Sequence, residues 1–436
     1  MKVYSFPHGG IDFDDPTAPV WTSSKTAFLP NFAVIPIVQF SENCAQPVVS
    51  VGDTVSEGML IGRRQGPGSS NIHATVPGRV VRVVSWQAAE SYNNQAIIVR
   101  TGGSFDKLGK PEQTFGWDTL SPQELHELVA EYGIVEMDGS GAPLNDALSA
   151  FPSEAALSVV VNCVFDDPWL VADYVLCRER TSAVVEGALM LQKITGAKQI
   201  VYVISHPEKK LLALFQEEAK RYDAPSFFVQ VRAKYPQRNH SQLELVLRTF
   251  EKEENVQLNT LFIQSPATLA AVHDAIKLRK PILDRYVAVG GSAVRNPAVL
   301  KARIGTMFEE IFEQCGGFID DPIRIATGSP LLGRKVVNLN EPVTKNTTAV
   351  FALLKRQVGV TSVRTCISCG ECRSVCPVRL DPERLFKSIK GSKQEKNFSR
   401  IVECLGCGCC EVVCPSRLPL STILGAWNKA KTNKGE

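Results

Sequence analysis

The chain has 436 residues, 48 Lys and Arg against 45 Asp and Glu, and is 44% apolar and 21% charged. That length and balance fit two to four soluble domains with real cores. No apolar run reaches the ~18 residues of a membrane span, and the opening MKVYSFPHGG lacks the apolar stretch of a secretory signal. No basic helix or aromatic-interleaved basic patch points to nucleic acid. These exclusions predict a cytosol-facing chain whose cysteines stay reduced.

Residues 1–100 read as an N-terminal β domain. Short strands are expected at Phe32–Ile37, Val48–Val51, Met59–Ile61, Ile72–Val76, Arg79–Val84 and Ala96–Arg100, with Gly and Pro turns between them. Two phrases, Val51–Gly58 and His73–Val80, resemble the hairpins of biotinyl/lipoyl-type domains, which implies a barrel-sandwich. A swinging-arm carrier needs a lysine at the tip, and Arg63–Asn71 has none, so docking or scaffolding is the expected role. His73 then reads as a packed turn histidine.

Gly102–Gly116 is polar and rich in Gly and Pro, so residues 101–120 are assigned as a linker. Ser121-Pro122-Gln123-Glu124 supplies an N-cap, a Pro at the first helical position and a capping-box Glu. Strand and helix patterns then alternate: strand Leu157–Val161, helix Pro168–Ile194 closed by Gly196, strand Gln199–Ile204 and helix Pro207–Arg221. Strand Ser226–Arg232, helix Ser241–Glu251 and strand Leu261–Gln264 follow. The alternation predicts a layered α/β domain over 121–284 with a largely parallel sheet. Residues 285–340 pack a strand, a short helix at Met307–Gln314 and further strands into little chain, which predicts a β-grasp-like ligand-binding unit.

The last segment, 358–430, carries the strongest signal. Cys366, Cys369, Cys372 and Cys376 precede Pro377, and Cys404, Cys407, Cys410 and Cys414 precede Pro415. Each run reads C-x2-C-x2-C-x3-C-P, the ferredoxin pattern in which the fourth cysteine ligates the other cluster. One [4Fe–4S] cluster is thus assigned to Cys366, Cys369, Cys372 and Cys414, the other to Cys404, Cys407, Cys410 and Cys376. Structural zinc would show C-x2-C pairs with a longer spacer instead of triplets. Asp381-Pro382-Glu383 opens a helix that Gly391 ends, and Pro419 precedes another carrying Trp427, so a helical two-cluster ferredoxin domain is expected. From Val358 onward there are 13 Lys and Arg against 7 Asp and Glu, a basic setting that offsets anionic clusters and could receive an acidic electron carrier. Cys44, Cys163, Cys177 and Cys315 lack paired spacing and read as ordinary buried thiols. Cys409 falls between ligands, out of the doubled register. The six histidines form no discernible catalytic or metal arrangement.

Over nearly its whole length the chain resembles the C subunit of the Rnf-type ion-translocating ferredoxin:NAD oxidoreductase complex. The resemblance is carried by His8-Gly9-Gly10-Ile11, the biotinyl-like hairpins, Lys234-Tyr235-Pro236-Gln237, Gly291–Thr306, Pro342-Val343-Thr344-Lys345 and both cysteine runs. It implies a peripheral protein on the cytoplasmic side of the cell membrane, held by integral and peripheral partner subunits. The complex would couple electron transfer to sodium or proton translocation. It also implies that 121–284 is a flavin-type domain taking hydride from NADH, with the clusters passing electrons to a neighbouring subunit.

The flavin loop departs from that family. The family's glycine-rich loop runs roughly G-I-V-G-x-G-G-A-G-F-P with a lysine four residues on; here Gly133-Ile134-Val135-Glu136-Met137-Asp138-Gly139-Ser140-Gly141-Ala142-Pro143 is followed by Ala147. Gly133, Gly139 and Gly141 remain, two glycines are carboxylates, and the cation is gone. A carboxylate about 4 Å from a phosphate charge costs roughly 4 kcal/mol at an effective dielectric of 20. The phrase N-x-x-E-C-E-P appears as Asn162-Cys163-Val164-Phe165-Asp166-Asp167-Pro168, where Asp167 could imitate the second glutamate. Two readings stand: a fold that has lost FMN and NADH, or a shifted loop that holds FMN through other contacts. If the first holds, a ferredoxin or flavodoxin is the candidate electron donor. At the level of function, the alternatives are a docking protein redox-active only in its ferredoxin segment, and a soluble cobalamin-reductase-like protein.

Overall fold

The computed structural model describes residues 2–13, 23–38, 45–86, 94–103, 113–150, 157–329, 331–355, 362–390 and 399–432. At its centre lies a five-stranded, fully parallel sheet ordered Val3–Tyr4, Ser226–Arg232, Gln199–His206, Leu157–Cys163 and Thr260–Gln264. Its inner strands are near-continuous runs such as QIVYVISH because helices cover both faces and leave no solvated side. Residues 3–4, expected in the N-terminal β domain, form its edge instead, with Val3 opposite Gln230. A two-residue strand within MKVYSFPHGG gives no periodic signal; only a partner edge makes it a strand.

Helix Pro122–Glu131 begins with the expected capping box, Ser121 and Glu124 bonding reciprocally. The expected helix Pro168–Ile194 is two, Ala172–Glu179 and Thr181–Thr195. Arg180 breaks it at φ −134°, where its guanidinium forks onto both carboxylate oxygens of Asp274 at 3.0 and 2.5 Å. Gly196 closes the second helix in the left-handed region, as its position suggested. Helix Pro266–Lys277 lies beyond the expected elements, although Ser265-Pro266 repeats the start signal of Ser121-Pro122; its Ser265 side chain accepts from the Thr268 N–H.

The N-terminal β domain consists of a four-stranded sheet, ordered 32–36, 94–101, 78–86 and 54–55, facing a three-stranded one, ordered 46–47, 60–63 and 72–73. Ile35, Ile61, Ile72, Ile97 and Val99 fill the space between them. No strand forms at Val48–Val51; only Gln46–Pro47 pairs there.

The third sheet is ordered 334–335, 324–327, 349–353, 284–290, 298–303 and 24–26. It runs past the expected limit of 340, because Ala349–Leu353 lies parallel to Asp284–Gly290 at its centre. It also borrows Ser24–Thr26 from the N-terminal region. Helix Phe308–Gln314 covers this sheet with Phe308, Ile311 and Phe312 against Val287, Val289 and Leu300. The C-terminal domain is helical, with Pro382–Lys390 and Leu420–Thr432 each following a short turn of helix, Glu371–Ser374 and Cys409–Val412.

Candidate iron–sulfur centre and nucleotide loop

The two cysteine runs adopt one backbone twice. Ser368 and Gly406, two residues after the first cysteine of each run, have positive φ, as do Gly370 and Gly408 two residues later. Arg379 and Arg417, three residues past each fourth cysteine, match as well. Left-handed positions between cysteines turn successive side chains inward, which a plain helix or strand cannot do at a spacing of three.

A single cavity is lined by Cys366, Cys369 and Cys372 from the first run and Cys414 from the second. Phe386, Leu418 and Leu420 close its apolar side. The thiol of Cys376, though in the first run, neighbours Cys407 and Cys404, and Cys410 neighbours Cys407, Cys404 and Cys376 as well as Cys372. The chain crosses between the runs through a pair of bonds: Arg364 N–H to the Ser416 carbonyl at 2.9 Å and Ser416 Oγ to the Thr365 carbonyl at 2.9 Å.

Backbone N–H groups already point at several thiols, from Ser368 to Cys366 at 3.4 Å and from Leu380 to Cys376 at 3.3 Å. Glu383 N–H likewise serves Cys372, Gly406 serves Cys404 and Cys409 serves Cys407. Among the described residues, no group of three or more His, Cys, Asp or Glu surrounds a single-ion position. A cubane instead spreads four thiolates over separate corners, and two crossed sets with N–H donors and apolar walls fit that geometry. Cys409 is fully buried beside Cys407. Cys163 and Cys177, unpaired by spacing, lie with sulfurs 3.8 Å apart in the core. Cys315 is buried, and Cys44 lies outside the described residues.

The two sets differ in surroundings. Cys369 is exposed, with Ile367 67% and Val363 59% exposed nearby, so the first set is the outer one. The second set is backed by the rest of the molecule. Gly9, at φ +62°, lies so close that a Cβ would sit 2.6 Å from the backbone of Cys376. Gly10 N–H donates to the Val375 carbonyl at 2.8 Å, and Tyr235 Oη donates to the Cys407 carbonyl at 2.8 Å. Leu332 approaches Gly408 from the third unit. The phrases His8–Ile11 and Lys234–Gln237, far apart in sequence, thus meet at the inner set, which no local pattern could announce.

At the flavin-type loop, several backbone donors are already committed. Glu136 N–H bonds the Ala142 carbonyl at 2.7 Å, Gly141 N–H bonds the Glu136 carbonyl at 3.0 Å, and Val135 bridges Pro143. Met137 N–H goes to Thr268 Oγ1, Ser140 N–H to Asp138 Oδ1 and Ala142 N–H to Ser140 Oγ. A phosphate cradle needs such N–H groups free and convergent. Burial, with Asp138 adding to it, raises the Glu136 carboxyl. Two buried cations lie behind the loop, but Arg285 donates to the Met137 and Thr347 carbonyls, and Arg238 is paired with Asp173 at 2.7 Å. Gly133 is needed for packing: at φ +61° its Cβ would lie 2.2 Å from the Asn71 carbonyl. Asp167 bonds Ser329 Oγ and Trp169 N–H, and Phe165 packs edge-on to Tyr174. The residues present do not fit an FMN phosphate.

The hairpin tip Arg63–Asn71 docks beside this loop. Arg64 pairs with Asp146 at 3.2 Å and Gly68 N–H donates to the same carboxylate at 2.7 Å, one residue before Ala147, where the family has its lysine. His73 is buried and stacks on Tyr132, and burial pushes its imidazole down to about 3; it is a packed residue, in a strand instead of a turn.

Four family models match successive parts of the chain. Residues 8–104 match the RnfC barrel sandwich hybrid domain, 129–274 the Nuo51 FMN-binding domain, 286–335 the SLBB domain and 362–418 the 4Fe-4S dicluster domain. The C subunit of the ion-translocating oxidoreductase complex of Rhodobacter capsulatus is 31% identical over 379 residues, covering 85% of this chain and 72% of that protein. Its counterpart in the proton-translocating ferredoxin:NAD(+) oxidoreductase complex of Clostridium ljungdahlii is 29% identical, covering 88% and 84%. The counterpart in the Na(+)-translocating complex of Acetobacterium woodii is 27% identical, covering 81% and 80%. Among solved structures, an NAD+-reducing [NiFe]-hydrogenase in the H2-reduced state aligns with a TM-score of 0.46 at 13% identity, over 61% of this chain and about half, 52%, of that one.

Proposed function

This chain belongs to the RnfC family, the C subunits of ion-translocating ferredoxin:NAD oxidoreductase complexes, and we propose that it is the peripheral iron–sulfur electron-transfer component of such a complex. The observation that carries this reading is the pair of crossed cysteine sets, one with an exposed rim and one backed by the α/β domain. When bound, two [4Fe–4S] clusters supply one-electron transfer. The outer set is Cys366, Cys369, Cys372 and Cys414, and the inner set is Cys376, Cys404, Cys407 and Cys410. The protein's part is to exclude water from the inner set and to present the outer rim to a neighbouring redox subunit.

The chain sits on the cytoplasmic side, held by partner subunits, and its complex moves sodium or protons. Among the described residues no helix is long and apolar enough to cross a membrane. The basic excess from Val358 onward suits an acidic ferredoxin or flavodoxin at the outer rim. The third unit, a hairpin, a helix and a central parallel strand, is β-grasp-like and braces the inner set through Leu332. A cobalamin-reductase-like role is not favoured by these similarities.

The test is reconstitution. Membranes lacking this chain should regain ion-coupled electron transfer when the cluster-loaded chain is added, and Cys369→Ser should fail to restore it. Full activity without the chain would sink the assignment.

A further inference from the structure

Tyr235 stands where the α/β domain meets the inner cysteine set, and its surroundings fix it on every side. Its backbone exchanges two bonds with Ile11, each 2.9 Å. The ring of Phe13 packs edge-on at 5.3 Å. Gly10 lies so near that a Cβ would come within 2.7 Å of the Tyr235 carbonyl and 2.5 Å of Phe6, and Gly10 N–H reaches across to the Val375 carbonyl beside Cys376. The hydroxyl therefore has little freedom. It donates to the carbonyl of Cys407 at 2.8 Å, an acceptor that can take this bond only from the phenol's O–H.

The acceptor peptide matters. Cys407 joins Gly408, whose φ of +79° rotates that peptide and is what allows the carbonyl to face Tyr235. The following N–H, that of Cys409, donates back to the Cys407 thiol. A donor held on this carbonyl fixes the turn, keeps the Cys409 N–H aimed at the sulfur and draws electron density from the ligand's own peptide. Hydrogen bonding and solvent exposure around thiolates set cluster potentials. In the outer set Cys369, the equivalent of Cys407, is exposed.

We propose that Tyr235 is a positioning residue of the inner iron–sulfur site: through its hydrogen bond to the Cys407 carbonyl it raises the reduction potential of that site alone, making the two sites unequal. The proposal rests on the cluster assignment above, and the test separates the two.

The test uses the full chain, purified anaerobically with its clusters, under redox titration followed by electron paramagnetic resonance, with Cys369→Ser marking the outer signal. Wild-type protein without about eight irons per chain would sink the cluster assignment itself. With clusters loaded, Tyr235→Phe should lower the inner midpoint and leave the outer one in place. A neutral hydrogen bond worth ~1 kcal/mol corresponds to about a fivefold change in the reduced-to-oxidised ratio, or roughly 40 mV for one electron. If both midpoints move together, or neither moves, the proposal is overturned. If Tyr235→Phe loses iron, Gly10→Ala, which displaces the Tyr235 strand but keeps its hydroxyl, must lower the inner midpoint selectively; an unchanged midpoint overturns the proposal equally.

Discussion

Lys345 donates from Nζ to the carbonyl oxygen of Gly133 at 2.8 Å. The same nitrogen reaches the Asn71 carbonyl at 2.7 Å and Ser70 Oγ at 3.3 Å. One buried amine thus ties together the hairpin tip of the β domain, the entry to the nucleotide loop and the segment that leads into the central strand of the third unit. Without the amine, the carbonyl of buried Gly133 loses this bond.

Replacing Lys345 with Met should therefore destabilise the chain by about 3 kcal/mol, since unsatisfied buried acceptors cost ~1–3 kcal/mol each. Denaturant unfolding of the loaded protein measures this; a loss below about 0.5 kcal/mol would show that the joint carries no weight. Burial pushes the Lys345 amine down to about 7. Between about 7 and 10.4 the unfolded chain binds the proton and the folded chain does not. Its contribution to stability is therefore lowest below pH 7 and grows as pH rises through that window.

Asp166 gives the opposite slope at lower pH. Burial pushes its carboxyl up to about 7, opposed by the Arg238 N–H at 2.8 Å and guanidinium. Between about 4 and 7 the folded chain holds a proton that the unfolded chain has lost. Its stabilising contribution is full below about 4 and is lost as pH rises to about 7, with ~4 kcal/mol at stake as an upper bound. Asp166→Asn should flatten the stability profile over this window. A variant with the wild-type slope would mean that other groups set it.

Iron and sulfide analysis should find about eight of each per chain, by the four-cysteine rule for each cubane. Because the sets cross, Cys414→Ala should impair the site built on the first run, and Cys376→Ala the site built on the second. Loss confined to the run that carries the substitution would contradict the shared cavity of Cys366, Cys369, Cys372 and Cys414.

Anaerobically purified chain should lack stoichiometric FMN, and NADH should bleach its clusters slowly or not at all. The reason is the closed loop, with Glu136 and Gly141 N–H groups bonded to loop carbonyls. The double change Glu136→Gly with Asp138→Gly removes both carboxylates and should raise flavin affinity, read by quenching of flavin fluorescence on titration. One tightly bound FMN per wild-type chain would show that another set of contacts holds it.

Some of this was legible in residue order because it depends on neighbours along the chain. The doubled cysteine run, the capping box at Ser121, the helix end at Gly196 and the apolar runs of the parallel sheet all arise within a few residues of their signals. The carboxylates at 136 and 138 are likewise read from the sequence alone.

What only the tertiary structure decided depends on pairing across long separations. Val3–Tyr4 becomes a strand because Ser226–Arg232 offers an open edge, and Ser24–Thr26 because Ala298–Arg303 does. Arg180 breaks a helix that its own segment would continue, because Asp274 sits 94 residues away to receive it. The inner and outer character of the two cysteine sets follows the same rule. Their sequences are near copies, so no local term distinguishes them; Gly9, Tyr235 and Leu332, brought from three other parts of the fold, do.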